Sequence, residues 1–514
     1  MDSTTPINQT AHKTESTLPV DVDACHALIA ELSASLTKEQ RTREQLEARV
    51  QELLRRLFGP RSEKINLAQL ALFAEILAAA APEVAADEPE APPVTKKGHG
   101  RKRLPKELPR IRVEHEVPPE QRVCEECGKD KDKIGEEISE QLEYTPASLV
   151  IIEHVCPVLA CKCCQEHVVT APKPAQPIEK GLAGPGLLAQ VITSKYCDHI
   201  PLYRQESIFA RHGADLSRTT MCGWVMACAD LVSPVVEAMI AQVVQSKVIH
   251  TDDTPVRVQG DGTGAYTGRF WTYVGDENHP FTVYHYTPSR KRDGPVAFLK
   301  DFAKDAQTPH YLQADAFGGY DGIYAAGRIF EVACMAHVRR KFYEARNTDA
   351  DRAHRVLAWI RQLYDVESDA RALDAVARAA LRQERASPIL EQWRQWMDAE
   401  CIKVLPKSPI GQAMQYAINQ WTALNRYLQD GDLDIDNNEA ERALRGIAIG
   451  RKNWLFLGND RGGRAAAIFY SLIQSAKRHA HDPFAYLRDL FLRIPTHPNK
   501  ALAELLPDRW RVGR

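Results

Sequence analysis

Three acidic segments carry the residues best suited to chemistry: HTDDTPVRV (250–258), YLQADAFGGY (311–320) and, far downstream, IDNNEAERALRGIAIGRKNWLF (435–456). Each sets carboxylates at the end of, or inside, an apolar stretch. Carboxylates gathered in this way hold divalent cations beside a phosphate, a grouping that cuts and joins phosphodiesters. Strand alternation in the first segment puts Asp252 on the face of Val248, His250, Thr254, Val256 and Val258, and Asp253 on the other. A carboxylate on the more apolar face is costly unless it holds a metal. Asp252 is therefore the candidate, with Asp253 a solvent-facing or hydrogen-bonding neighbour. Asp315 directly follows an apolar run and precedes Gly-Gly, whereas Asp321 falls past the strand in a turn. In the third segment, Asp436 is expected to cap a helix, with Glu439 completing a capping box. Glu441 then shares a face with Asn437 and Arg445, both expected to contact DNA, so it either binds metal beside a phosphate-contacting Arg445 or pairs with Arg445 as an ordinary i,i+4 salt bridge.

Three separated carboxylates suit two Mg²⁺ (or Mn²⁺) ions. In such a site water attacks a phosphodiester first, and the released 3′-hydroxyl attacks a target strand second, with no covalent protein nucleophile. Downstream, GRKNWLFLGNDRGGRAA (450–466) supplies Arg451, Lys452, Arg461 and Arg464 beside Trp454 and Phe456, a mixture suited to phosphate contact and base stacking.

A second ligand set lies upstream. Cys124 and Cys127 form C-x2-C, and Cys161, Cys163 and Cys164 lie in ACKCC. Paired knuckles of this kind indicate a structural Zn²⁺ held by four thiolates. Cys161 with Cys164 repeats the spacing of the first pair, while Cys163, Cys156 and His167 are alternative ligands. Cys197, Cys222, Cys228, Cys334 and Cys401 are expected to be small core residues.

The elements that position these groups follow from periodicity. Residues from Cys25 to Leu57 carry a heptad seam interrupted at Glu39 and Arg43, which predicts a long helix able to pair. A Pro- and acid-rich linker (82–93) gives way to KKGHGRKRLPKELPRIR (96–112), where Arg101, Lys102 and Arg103 suit an arm lying along a phosphate backbone. Residues 187–232 read as helix, Gly213 break, and a second helix from Ser217. That is a helix-turn-helix outline with Arg218, Thr219 and Thr220 at the reading end. From 247 onward three β-rich segments form a meander, followed by alternating helix and strand, and 349–430 is charged and helical.

The fold class expected is multidomain α/β, with a mixed-sheet domain interrupted by a helical insertion. The expected regions are an N-terminal helical part (1–81), linker and basic arm (82–115), zinc-binding domain (116–170), helical DNA-binding region (171–240), first catalytic part (241–348), helical insertion (349–430), last catalytic part with the Glu helix (431–480) and a C-terminal helical tail (481–514). The formal net charge of -2 over 514 residues means that DNA affinity must come from local basic patches. No run of roughly 20 apolar residues and no signal pattern is evident, so a cytoplasmic protein without a membrane partner is expected.

These pieces together resemble the large, TnpC-type transposases of the insertion-sequence-sixty-six family. The matching stretches are LFGPRSEK (57–64), CEECG, ACKCC, SKYCDHIPLYRQE (194–206), HTDDTPVRV, GRFWTYV, ADAFGGYDG, CMAHVRRKF (334–342) and DNNEAERALRGIAIGRKNWLF, in the family's order. The resemblance implies a bacterial DDE transposase with an RNase H-like catalytic fold and the triad Asp252, Asp315 and Glu441. It also implies a leucine-zipper-like segment, a zinc finger, binding to the element's inverted-repeat ends and to target DNA, assembly as a homo-oligomer on DNA, and small accessory transposition proteins as partners. His337 and Arg340 match a family motif and are expected near DNA. Competing readings are an RNase H-type nuclease without joining activity, and a zinc-containing DNA-binding regulator with an inactive catalytic fold.

Overall fold

The computed structural model describes residues 175–511, except 180, 261–263, 305–306 and 326, together with scattered upstream positions including 30–36, 158–159 and 169–170. The chain divides into two units, residues 82–155 and the rest, and the fold below belongs to the second. Residues 30–36 are helical, with Leu32 and Leu36 of the expected seam exposed. Most of the seam, Arg101, Lys102 and Arg103, and the zinc candidates Cys124, Cys127, Cys161 and Cys164 lie outside the described residues. Strands β1 (Val158–Leu159) and β2 (Val169–Thr170) pair antiparallel and flank ACKCC in the sequence.

Three helices come next: α1 (Pro185–Tyr196), α2 (Leu202–Arg211) and α3 (Arg218–Val243). Gly213 takes φ 80° between α2 and α3, a conformation open to glycine without a Cβ penalty. Ser217 caps α3 by accepting the Thr220 N–H. The meander follows as β3 (Val248–Val258), β4 (Tyr266–Val274) and β5 (Thr282–Thr287). After α4 (Asp293–Phe298), β6 (His310–Gln313), α5 (Asp321–Tyr324) and β7 (Ile329–Val332), the rest is helical. It comprises α6 (Met335–Ala345), α7 (Ala350–Ala370), α8 (Ala375–Leu381), α9 (Ser387–Glu400), α10 (Pro409–Asn419), α11 (Trp421–Asn425), α12 (Asn438–Trp454), α13 (Asp460–Arg478) and α14 (Pro483–Arg493).

The sheet has the order β5-β4-β3-β6-β7, antiparallel across the meander and parallel from β3 through β6 to β7. β3 is thus central. The edge strand β5 would expose unpaired backbone groups, but α13 covers it. Ser475 accepts the Thr282 N–H and donates to the Thr282 carbonyl, and Ser471 accepts the Tyr284 N–H. Gly463 of α13 lets the helix approach, since a Cβ there would lie 2.7 Å from the Tyr286 ring. Gly463→Ala is expected to destabilise the fold by about 1–3 kcal/mol through overpacking, measured as a lowered midpoint in urea.

One core joins α1–α3, the meander, α12, α13 and α14, through residues such as Val232, Phe270, Tyr470 and Phe491. A region 171–240 standing apart from the sheet was expected. Instead α3 buries Met221, Trp224, Val225, Cys228 and Val232 in that shared core. Among the described residues α3 is the one helix long and apolar enough to cross a membrane by composition, and those side chains show why it is so apolar. The expected tail 481–514 also packs in, with Tyr486, Leu490 and Trp510 buried. A second core holds α6, the insertion helices and outer-strand residues such as Tyr311 and Val332. In the insertion, Arg382 is fully buried, forked onto Glu367 (2.8 and 2.7 Å) and donating to the carbonyls of Tyr427 and Asp430.

Candidate active site

The site lies where β3 faces the N-terminal end of α12. His250, Asp252 and Thr254 look toward α12: the His250 ring meets Asn437, Asp252 senses the charge of Glu441, and Thr254 accepts from Arg451. Thr251 and Asp253 turn to the other face, where Tyr320 and Arg269 lie. Asp253 is a hydrogen-bonding neighbour and not solvent-facing, with its side chain 2% exposed. Arg269 donates to one oxygen (2.8 Å), and Arg290 donates through Nε and Nη2 to the other (2.9 and 2.7 Å).

Asp252 has no such compensation. Its Oδ1 accepts the Asp253 N–H (2.7 Å), and among the described residues no cationic side chain pairs with it. Burial, with the charges of Asp315, Asp253 and Glu441, pushes its carboxyl up to about 7, although the Asp253 N–H opposes this. The carboxylates from the three sequence segments therefore feel one another. Asp315 sits just past β6 and is also raised, by burial and then Asp253, against Arg290, the Phe317 N–H and Arg340. Arg290 reaches within 3.7 Å of Asp315 and stacks its guanidinium 4.0 Å from the Phe317 ring centre.

Glu441 occupies the first turn of α12, and its partner is His337 Nδ1 at 3.5 Å rather than Arg445. Burial, then Arg340, lowers the His337 pKa while Glu441 opposes, so the imidazole is neutral near pH 7. Cys334, His337 and Glu441 offer ligand atoms within 4.8 Å of one another, as do His250, Asp434 and Glu439.

The capping box does not form. The N-cap is Asn437, and Asp436 instead accepts the Asn438 N–H (3.0 Å), an Asx turn held further by the Tyr364 hydroxyl. Glu439 pairs with Arg478 at 3.5 Å. The expectation that Asn437 contacts DNA is also corrected, because it is fully buried. Its Nδ2 donates to the Thr251 carbonyl (2.8 Å), its Oδ1 meets His250 Nδ1 (3.2 Å), and its N–H points at Cys334 Sγ (3.2 Å). Gln313 adds a tether from β6 by donating to the carbonyls of Asp434 and Asp436.

Among the other basic candidates, Arg218, Arg340, Arg445 and Lys452 are exposed. Arg451 is half-buried and clamps α12 to β3 by donating to Thr254 Oγ1 and the Pro255 carbonyl, so it is a strand anchor and not a free phosphate contact. The small-core expectation for cysteines holds for Cys228 and Cys334, while Cys222 is exposed and Cys197 and Cys401 are half-buried. Burial pushes the Cys334 thiol up to about 12. The sequence reading passed over Arg290, whose signal was the SRKR cluster directly after the third strand, and the His250–Asn437 pair.

Comparison with known proteins defines the class first. The central part of the chain, residues 180–465, matches the profile described as "Transposase IS66 family". Three others flank it: "Transposase C of IS166 homeodomain" at 45–113, "zinc-finger binding domain of transposase IS66" at 121–165 and "IS66 C-terminal element" at 471–507. The molecule is a multidomain transposase with a mixed sheet, a zinc-finger region and a leucine-zipper-like region. The chain belongs to the IS66 transposase family. Two full-length relatives are from Sinorhizobium fredii (strain NBRC 101917 / NGR234). "Uncharacterized protein y4hP" is 33% identical over 91% of this chain and 88% of its own length. "Uncharacterized protein y4qI" is 31% identical over 95% and 97%. A solved structure, "Drosophila P element transposase strand transfer complex", aligns with 57% of this chain and 92% of its own at a TM-score of 0.33 and 11% identity.

Proposed function

We propose that the protein binds the inverted-repeat ends of a bacterial insertion sequence and, in the cytoplasm, catalyses metal-dependent strand cleavage and strand transfer by the DDE mechanism. Asp252, Asp315 and Glu441 are the catalytic acids. The observation that carries this reading is the Asp252 carboxyl, raised to about 7 by burial and by Asp315, Asp253 and Glu441, with no cationic side chain paired to it among the described residues. A buried carboxylate without a cationic partner, beside two further acids, fits Mg²⁺ or Mn²⁺ held by these three side chains. When bound, such ions lower the pKa of the attacking oxygen and neutralise the leaving one. The meander followed by parallel strands around a central β3 supports an RNase H-like catalytic fold, assembled from 241–348 and 431–480 around the insertion.

The chain's own residues supply position. Arg290 and Arg269 fix Asp253, which keeps the strand rigid beside Asp252. His337 lies beside Glu441 at 3.5 Å, and exposed Arg340, Arg445 and Lys452 meet phosphates, with Arg218 at the exposed start of α3. Four thiolates, Cys124, Cys127, Cys161 and Cys164, hold the structural zinc. The basic arm at Arg101, Lys102 and Arg103 lies along DNA, and the N-terminal helix joins copies on the element ends.

The test is incubation of the protein and Mg²⁺ with DNA carrying the element ends plus a target plasmid. Joined products from the parent, absent with Glu441→Gln, are expected. Cleavage without joining favours a nuclease, and binding without cleavage favours a regulator.

A further inference from the structure

Helix α12 ends on a strained residue where a glycine would be the usual choice. Leu455 takes φ 64° and ψ −46°, and the Phe456 N–H donates to the Trp454 carbonyl at 2.8 Å. This is a γ-turn of the rare, strained hand, in a residue that carries a Cβ. Immediately beyond it, the Leu457 N–H donates to the Arg257 carbonyl and the Gln259 N–H to the Leu457 carbonyl, both at 2.9 Å, splicing the chain onto the end of β3. The turn is held from both sides. Its two side chains are nevertheless in solvent, Leu455 66% and Phe456 46% exposed. Trp454, by contrast, packs on the core, so base stacking falls to its two neighbours.

The surroundings are cationic. Lys452 and Arg257 are exposed on the two adjoining segments, and exposed Arg204 donates to Asn453 at 3.4 Å. The nearby acid Asp460 accepts from the hydroxyls of Tyr266 and Tyr286. A rigid apolar tip with exposed cations on its adjoining described segments matches a nucleic-acid duplex: the cations meet phosphates and the apolar groups fit between base planes.

Two rulers give its distance from the catalytic acids. From Asp252 to Val258 along β3 is ~20 Å at strand rise. From Glu441 to Leu455 along α12 is ~21 Å at helical rise. The Val258–Leu457 bridge brings the far ends of both together. At 3.4 Å per nucleotide, this span corresponds to about six base steps.

We propose that Leu455 and Phe456 form a wedge that enters the DNA duplex and unstacks a base step about six steps from the phosphate held at the carboxylates. This rests on the DNA-cutting reading above. The test places 2-aminopurine singly along a duplex carrying one element end and adds the full-length protein with Ca²⁺, to permit binding without cleavage. Fluorescence should rise severalfold at one step near that distance, and the rise should vanish with Phe456→Ala. Leu455→Gly should also lose it while melting no lower than the parent, because glycine adopts this backbone without a Cβ clash. A parent protein that binds and cuts DNA without any rise overturns the wedge and leaves the cleavage reading intact. A parent that binds no DNA removes both. Loss of self-association in Phe456→Ala, with unstacking unchanged, assigns the tip to a second copy of the chain and overturns the proposal.

Discussion

Asp252→Asn is expected to abolish cleavage and joining, by roughly 10³-fold or more, and to make the metal-free protein more stable than its parent above pH 7. The stability gain follows from proton linkage. Asp252 has its folded pKa raised from 3.8 to about 7. Between those values the folded state binds the proton and the unfolded state does not, so stability falls as pH rises from about 4 to about 7. The gap of about 3 units corresponds to about 4 kcal/mol, all of it lost above pH 7 in the absence of a cation. Asparagine has no such charge, so the variant should lose the Asp252 share of this slope, while Asp315, Glu331 and Asp434, whose pKa values are also raised, keep theirs. Thermal denaturation with Mg²⁺ withheld, from about pH 4 to about pH 8, reads it directly. A variant whose melting temperature falls with pH as steeply as the parent's would show that Asp252 is not the strained carboxylate. Added Mg²⁺ should raise the parent's melting temperature and leave the variant's almost unmoved.

The second large effect is expected at Asn437, a residue that touches no substrate. Asn437→Ala leaves the Thr251 carbonyl and His250 Nδ1 without their partner inside the protein. Two orphaned buried groups cost about 2–4 kcal/mol together. The same amide joins β3, which carries Asp252, to the turn that starts α12 and so aims Glu441. A displacement of about 1 Å between those acids would lower the cleavage rate by roughly 10²-fold. Asn437→Asp keeps the size but loses the Nδ2 donor to Thr251. It should be as inactive as the alanine variant, with a different stability profile against pH. Urea midpoints and single-turnover cleavage rates separate the two contributions. If alanine lowers stability but leaves the rate of the folded fraction unchanged, the positioning role is discarded.

What could be read from the sequence followed from local periodicity and what could not followed from partners distant in the chain. The meander, the central strand and the start of α3 at Ser217 were legible because alternation and capping act within a few residues. Asp252 was separable from Asp253 for the same reason, although the argument from apolarity captured only half of it. Asp253 is itself buried, its side chain 2% exposed, and it is the two arginines from β4 and the turn after β5 that make its charge tolerable. No local pattern pairs residue 253 with residue 290. The capping box failed for a related reason. Asp436 and Glu439 have the right spacing, yet Tyr364 from the insertion and Arg478 from α13 claim them. By spacing Asn437 shares a helix face with Glu441 and Arg445, which reads as a DNA contact, whereas it is buried through contacts nearly two hundred residues away. Likewise, the helical region before the sheet looked like a module of its own until its buried face proved to be shared.

The separation between His250 and Asn437, 187 residues, also bears on when the proposed site is complete during synthesis. During synthesis at about 5–20 residues per second, the strand carrying Asp252 leaves the ribosome roughly 10–40 s before the helix carrying Glu441. Asp315 follows Asp252 by 63 residues, about 3–13 s, so for the remaining ~6–25 s the growing chain has its first two acids and no third. A ribosome that stalls, or a message broken within the insertion, yields a product lacking the Glu helix and the side chain that aligns it. On the proposed assignment of Glu441, the third acid arrives late and from far away, and competence to cut DNA is withheld until translation is almost finished.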